Sequence, residues 1–321
     1  METRNAADFG WFERQFSQIG SNIERVIQGK SAEVRLALAS LVAEGHLLIE
    51  DVPGVGKTML AKALARSIDC SFRRIQFTPD LLPTDITGVN VFNQERGDFE
   101  FKPGAVFANI VLGDEINRAS PKTQSALLES MEEHQVTVDG ISYQLGVPFM
   151  VVATQNPIEH EGTYPLPEAQ LDRFMMRLSI GYPGADAEAE ILATHGTAST
   201  LEDIGAVTDA SGVGRMIHVA RQTHVAESLQ RYIVELADAT RRHPDVYLGA
   251  SPRAAIMLLR ASRAVAASEG RDYVLPDDIK GVAVPVLHHR LIVSADAAMS
   301  GRNAETVLVE VMEDVPVPVK S

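Results

Sequence analysis

Eight residues, Asp51-Val52-Pro53-Gly54-Val55-Gly56-Lys57-Thr58, limit what this chain can fold into more than any others. Gly45 and the apolar run Leu47-Leu48-Ile49 precede them and read as a break followed by a short strand. Behind them, apolar residues at 60, 61, 64, 65 and 68 recur with the period of one helix face. A Gly-rich turn closing in Gly-Lys-Thr between strand and helix is a phosphate cradle. The first N–H groups of the helix lack intrahelical acceptors, and the helix dipole adds positive potential there. In that setting Lys57 reaches the β- and γ-phosphates of a nucleotide and the Thr58 hydroxyl sits on Mg²⁺. Gly54, Val55, Gly56, Lys57, Thr58 and Met59 are therefore the candidate nucleotide-binding residues. The usual motif begins with glycine where this chain has Asp51. Asp tolerates unusual turn angles, so the loop is expected to form.

The 321 residues suffice for two domains. No run of 18 apolar residues is present, so a spanning helix is not expected. The first residues, Met1-Glu2-Thr3-Arg4-Asn5, lack the apolar core of a secretion signal, and Cys70 is the only cysteine. A cytoplasmic protein without an intrachain disulfide is expected. The net charge of −14 argues against a surface that wraps nucleic acid.

In chain order, Phe9, Phe12, Phe16, Ile19, Ile23 and Val26 predict a helix over 8–26, and a second follows from Ser31 to Ala43. Strands are expected at 73–77, 109–113, 149–154 and 176–180. Short strands at 90–92 and 99–101 flank a polar, Gly-containing loop and predict a hairpin. A second hairpin is expected around Asp139-Gly140, between 135–138 and 141–145. Ser120 and Pro121 open a helix to Glu133 with Ala126, Leu127 and Met131 on its inner face. Tyr182-Pro183-Gly184 marks a boundary. Beyond it only helices are expected, at 185–195, 212–221, 226–242, 252–267, 276–288 and 303–312, and no strand. The fold class is thus α/β, a P-loop αβα sandwich on a parallel sheet over 1–183, followed by a small all-α domain over 184–321.

Further features follow the order that nucleotide hydrolysis needs. Asp114-Glu115 end an apolar strand 57 residues after Lys57. Asp114 suits Mg²⁺, a hard cation held mostly through water, and Glu115 suits a general base for the attacking water. Asn156 ends its own strand, where its amide can hold that water in line. Arg173, in Leu171-Asp172-Arg173-Phe174, is the candidate for a guanidinium given to a neighbouring subunit's γ-phosphate. Arg177 and Arg118 are its rivals, and a plain ion pair of Arg173 with Asp172 is the bland alternative. Arg253 follows the capping Ser251 and Pro252, so a cation opposes the helix dipole there. That placement points to an anionic partner.

Arg74-Ile75-Gln76-Phe77-Thr78-Pro79-Asp80-Leu81-Leu82-Pro83-Thr84-Asp85-Ile86-Thr87-Gly88 resembles the signature of the MoxR family of AAA+ ATPases. So do Gly113-Asp114-Glu115-Ile116-Asn117-Arg118-Ala119, Ala153-Thr154-Gln155-Asn156-Pro157 and the run from Gly162 to Phe174. Gly270–Asp278 and His289-Arg290 extend the likeness, which covers about 20–292. The resemblance implies Walker A at Gly54–Thr58, Walker B at Asp114-Glu115, sensor 1 at Asn156, an arginine finger at Arg173 and sensor 2 at Arg253. It implies adenine contacts around Ile27, Gln28 and Gly29, with ATP/ADP and Mg²⁺ as ligands. It makes the two hairpins the helix-2 insert and the pre-sensor-1 hairpin. It further implies a homo-oligomeric ring, usually a hexamer, acting as a chaperone or remodeller on a protein client. The usual partner carries a von Willebrand A domain, here a separate chain. A nucleic-acid motor and a metal-chelatase motor subunit are the alternatives. The hairpin loop 93–98 holds Glu95 and Asp98 against Arg96, and 135–145 holds no Lys or Arg, which disfavours phosphate tracking.

Overall fold

The protein is described by a computed structural model covering residues 6–157, 162–186, 188–189 and 201–318. Its centre is a five-stranded sheet of β1 (Leu47–Glu50), β2 (Phe72–Gln76), β5 (Ile110–Asp114), β8 (Met150–Gln155) and β9 (Met176–Leu178). The order is β2-β5-β8-β1-β9, and every pair is parallel. Parallel strands covered on both faces are apolar throughout, and all five residues of β5 are buried. The register sets Glu50 beside Gln155 and Gly113 beside Ala153. Asp51, Asp114 and Asn156 therefore leave the same edge of the sheet. The crevice beyond the carboxyl ends of such strands is where ligands of α/β folds bind.

α1 (Ala6–Glu24) and α2 (Ser31–Val42) precede the sheet. The stripe Phe9, Phe12, Phe16, Ile19 and Ile23 is fully buried, each side chain adding roughly 2 kcal/mol as an upper bound. α1 packs on α2, on α3 (Lys57–Ser67) and on the Pro252–Ser268 helix. That last helix buries Ala254, Ala261, Ala264, Ala266 and Ala267, small residues that let five helices approach it closely. A second apolar cluster on the other side of the sheet includes Phe77, Ile86, Leu127, Leu128 and Phe174.

The 78–88 segment contains the short α4 (Pro83–Thr87) and leads into a hairpin of β3 (Gly88–Asn93) and β4 (Asp98–Pro103). The second hairpin pairs β6 (Gln135–Val138) with β7 (Ile141–Gln144). Its turn residues Asp139 and Gly140 have φ of 51° and 81°, the twist that Asp-Gly supplies. Phe101 stacks on Tyr143 with ring centroids 3.9 Å apart, and Asn90 Nδ2 donates to Asp139 Oδ2 at 2.7 Å. The two hairpins are thus fastened together, while Phe92 and Phe99 stay exposed beyond the join.

Three expectations need correction. The helical half is not strand-free: β10 (Val246–Leu248) pairs antiparallel with β11 (Ile292–Val293). In α5 (Pro121–Glu133), Ala126 is only half-buried, whereas Thr123 and Gln124 are fully inside. Thr123 Oγ1 donates to Leu81 O at 2.8 Å, and Gln124 Nε2 donates to Ile116 O and Tyr164 O. β9 stops at Leu178, short of Ile180, because Ser179 and Gly181 turn toward Asp51. The helix expected at 185–195 lies mostly outside the described residues. Among the described residues, no helix is long and apolar enough to cross a membrane.

Candidate active site

The loop from β1 to α3 is shaped by Gly54 and Gly56, at φ of 87° and 95°. A Cβ at Gly54 would meet nothing within 4 Å, so the backbone angle and not space demands glycine. α3 begins at Lys57 behind Gly56, leaving the N–H groups of its first turn without intrahelical acceptors. Lys57 Nζ donates to the Asp51 carbonyl at 2.7 Å.

Asp51 is not tolerated for the reason expected from sequence, since its φ is not in the left-handed region. Its buried carboxylate works instead as a staple. Oδ1 accepts from Val52 N at 2.9 Å, and Oδ2 accepts from Gly181 N at 2.6 Å and Ser179 Oγ at 3.0 Å. Burial alone would raise its pKa, but the bonds from Gly181, Val52 and Ser179 outweigh that and hold it below the usual carboxylate value.

Asp114 ends β5 with both oxygens engaged. Thr154 Oγ1 donates to Oδ1 at 2.6 Å, and Arg74 donates to Oδ2 from Nη2 at 2.6 Å. Glu115 is held at φ 57° and ψ 52°, a left-handed conformation uncommon outside glycine. Its N–H donates to Thr154 Oγ1 at 2.9 Å, and Oε2 accepts from Gln76 Nε2 at 3.1 Å and Arg118 Nη1 at 3.2 Å. Thr154, Arg74 and Gln76 were missed in the sequence. Arg74 and Gln76 are two apart on β2 and share a face, a signal that strand alternation could have shown.

Pro53, Gly54, Gly56, Lys57, Thr58, Met59, Asp114, Glu115 and Asn156 line one cavity of about 330 Å³. A neighbouring cavity of about 450 Å³ shares Gly54, Gly56 and Met59 with it and adds Val26, Ile27, Gln28, Val55 and Tyr182. Ile27 and Gln28 line that cavity with Val55, whereas Gly29, expected beside them, lies outside the lining and serves the turn at φ 70°. Gln28 Oε1 is buried with no hydrogen-bond partner among the described residues.

Arg173 and Arg253 line neither of these cavities. They meet each other at Glu132, whose Oε2 lies 3.1 Å from Arg173 Nη2 and whose Oε1 lies 3.1 Å from Arg253 Nη1. A separate cavity of about 130 Å³ is lined there by Glu44, Glu132, His46, His134, Arg173, Arg253 and Arg260, among others. Asp172 pairs with the buried Arg290 at 2.7 Å, not with Arg173. Of the rivals, Arg118 lies against Glu115, and Arg177 pairs with Glu50 at 2.8 Å.

A phosphate cradle, an acidic pair and a polar amide on adjacent parallel strands, with a helical domain behind, define an AAA-type P-loop ATPase. Comparisons agree. Residues 46–176 match the family model described as ATPase family associated with various cellular activities (AAA), and 238–311 match the AAA lid domain. The chain is 42% identical to Chaperone MoxR1 of Mycobacterium tuberculosis, over 92% of this chain and 80% of that protein. It is 50% identical to the uncharacterized protein YeaC of Bacillus subtilis, over 93% of each. A crystal structure of a protein assigned as an ATPase from Cytophaga hutchinsonii superposes with a TM-score of 0.91 at 38% identity, covering 98% of both chains. The chain belongs to the MoxR family of AAA+ ATPases, and it hydrolyses ATP.

Proposed function

We propose that this chain is the motor of an ATP-driven protein remodeller whose catalytic site is completed by a second copy of itself. One observation carries the reading: the cavity holding Lys57, Thr58, Asp114, Glu115 and Asn156 contains neither Arg173 nor Arg253. Transition-state charge on a γ-phosphate calls for a guanidinium, and both candidates are turned to another face.

In this reading residues 1–183 form the nucleotide-binding core and 184–321 the lid. Lys57 and the first turn of α3 bind the β- and γ-phosphates. Glu115, oriented by Gln76, takes the proton of the attacking water, and Asn156 holds that water in line. Arg173 and Arg253 reach the γ-phosphate of the adjoining copy. The second cavity suits adenine: its walls are mostly apolar, with Lys30 and Glu188 as the charged lining residues, and the partnerless Gln28 Oε1 can accept from the 6-amino group. Among the described residues there is no cage of carboxylates and histidines for a metal. Mg²⁺ would be held by the Thr58 hydroxyl and, through water, by Asp114, and would supply positive charge beside the phosphates.

MoxR1 is named a chaperone, and the same work is proposed here, as a ring of six in the cytoplasm that matures protein complexes with a separate von Willebrand A domain partner. Mixing tests the composite site. Arg173→Ala and Lys57→Ala subunits are each expected to be inactive alone and to regain turnover together. Silence at every ratio would count against action between copies.

A further inference from the structure

We infer that Glu132 is the positioning residue that makes Arg173 and Arg253 one anion-gripping pair. The inference rests on the proposal that these arginines complete a second copy's site. They arise 80 residues apart, Arg173 in the loop before β9 and Arg253 in the first turn of the Pro252–Ser268 helix. Two guanidiniums brought together repel each other. Glu132, near the end of α5, answers both charges with one carboxylate, giving one oxygen to each.

The backbones that carry the two arginines are already tied. Asp172 accepts from Ser251 Oγ at 3.1 Å and from Arg290 Nε at 2.7 Å, and Ser251 caps the helix that bears Arg253. Such a bolt fixes where the chains run but leaves two long side chains free to rotate. Only a contact at the guanidinium heads sets their separation. Glu44, the other carboxylate lining the small cavity, is taken by Arg221 and Arg260. Among the described residues, Glu132 is therefore the only carboxylate paired with either arginine. Three arginines line that cavity against two glutamates, so positive charge is in surplus on this face of a chain of net charge −14.

The two oxygens of a carboxylate are spaced much like two oxygens of a phosphate. Arginines set against Glu132 are thus set for a phosphoryl group. The Glu132 side chain is 38% exposed, so an incoming triphosphate can take its place without opening the core.

The test uses full-length protein with Glu132→Ala, the isosteric Glu132→Gln, Arg173→Ala, Arg253→Ala and the double variant Glu132→Ala/Arg173→Ala. A fluorescent ADP analogue reports each chain's own P-loop, and its affinity should not change. Turnover at saturating ATP should fall roughly 10–100-fold in Glu132→Ala, the scale of a misplaced catalytic group. The double variant should be no slower than Arg173→Ala, and mixing Glu132→Ala with Lys57→Ala subunits should restore turnover. A residue that only supported the fold would lower ADP affinity and melting temperature and would slow the double variant further. If Glu132→Ala fails to fold, Glu132→Gln carries the test. Full turnover in the folded Glu132 variants beside dead Arg173→Ala and Arg253→Ala would overturn this inference and spare the composite site. Full turnover in Arg173→Ala would overturn both.

Discussion

The loop at Gly54–Thr58 and the arginine pair at Glu132 both face phosphate, yet they are built in opposite ways. The loop uses backbone: two glycines at positive φ and the N–H groups at the start of α3, all within one short stretch of chain. Its geometry is fixed once β1 and α3 are in place. The arginine pair uses two long side chains from segments 80 residues apart in the chain, meeting on a glutamate from α5. Its geometry depends on how the helical half sits. A backbone cradle holds; a side-chain pair across two parts of a molecule can report or be moved.

The sharpest way to break that contrast is to remove one member of each kind. Arg173→Ala is expected to cost about 10³–10⁵ in turnover with nucleotide binding unchanged, measured by steady-state phosphate release beside equilibrium binding. A comparable loss of binding would mean that the arginine face is not separable from the loop. Glu115→Gln should lower turnover by about 10²–10⁴ and keep ATP bound, which a single-turnover assay reads directly. Normal turnover would take the proton-accepting role from Glu115.

Smaller effects sharpen the contrast on the loop's side. Asp51→Ala should destabilise the fold by about 1–3 kcal/mol, because the Gly181 N–H and Ser179 hydroxyl lose their acceptor, and denaturant titration measures it. The sign of its pH dependence is set by a folded pKa below the ordinary one. Its contribution is complete above about pH 4 and is lost as the pH falls through the folded value.

His46 supplies the matching test beneath the arginines. Nδ1 accepts from Val151 N at 3.0 Å, so the ring proton is on Nε2, which donates to Met131 O at 3.0 Å beside Glu132. Burial lowers its pKa from 6.5 to about 3. The folded state therefore keeps it neutral. Its contribution is whole above pH 6.5 and falls away as the pH drops toward about 3, by at most about 1.4 kcal/mol per pH unit. Melting temperatures between pH 7 and 5 should decline, and less steeply in His46→Asn. His288 and His289 are depressed as well and keep part of the slope.

The same contrast explains what could be read without a structure. The five-stranded sheet, both hairpins and the loop were legible because each is written in consecutive residues with a clear period. Asp114, Glu115 and Asn156 were legible because strand ends place them together. Arg173 and Arg253 could be named, but their meeting at Glu132 is a product of packing between distant segments, and Glu132 looked like any acid on an exposed helix face. Thr123 and Gln124 went unread because apolar periodicity is blind to buried polar groups that tie loops down. The β10–β11 ribbon has strands of three and two residues, too short for any alternation to register.

The join between α5 and β6 has a mechanical consequence. Glu132 is followed by Glu133, by His134 in a left-handed kink at φ 50°, and then at once by the β6–β7 hairpin. That hairpin is clasped to β3–β4 by Phe101 on Tyr143 and by Asn90 on Asp139. A one-residue elbow leaves no slack. α5 thus links the arginine grip at its end directly to the joined hairpins, whose outer pair carries the exposed Phe92 and Phe99. A displacement of Glu132 would be carried through this elbow to the joined hairpins on which those two rings sit.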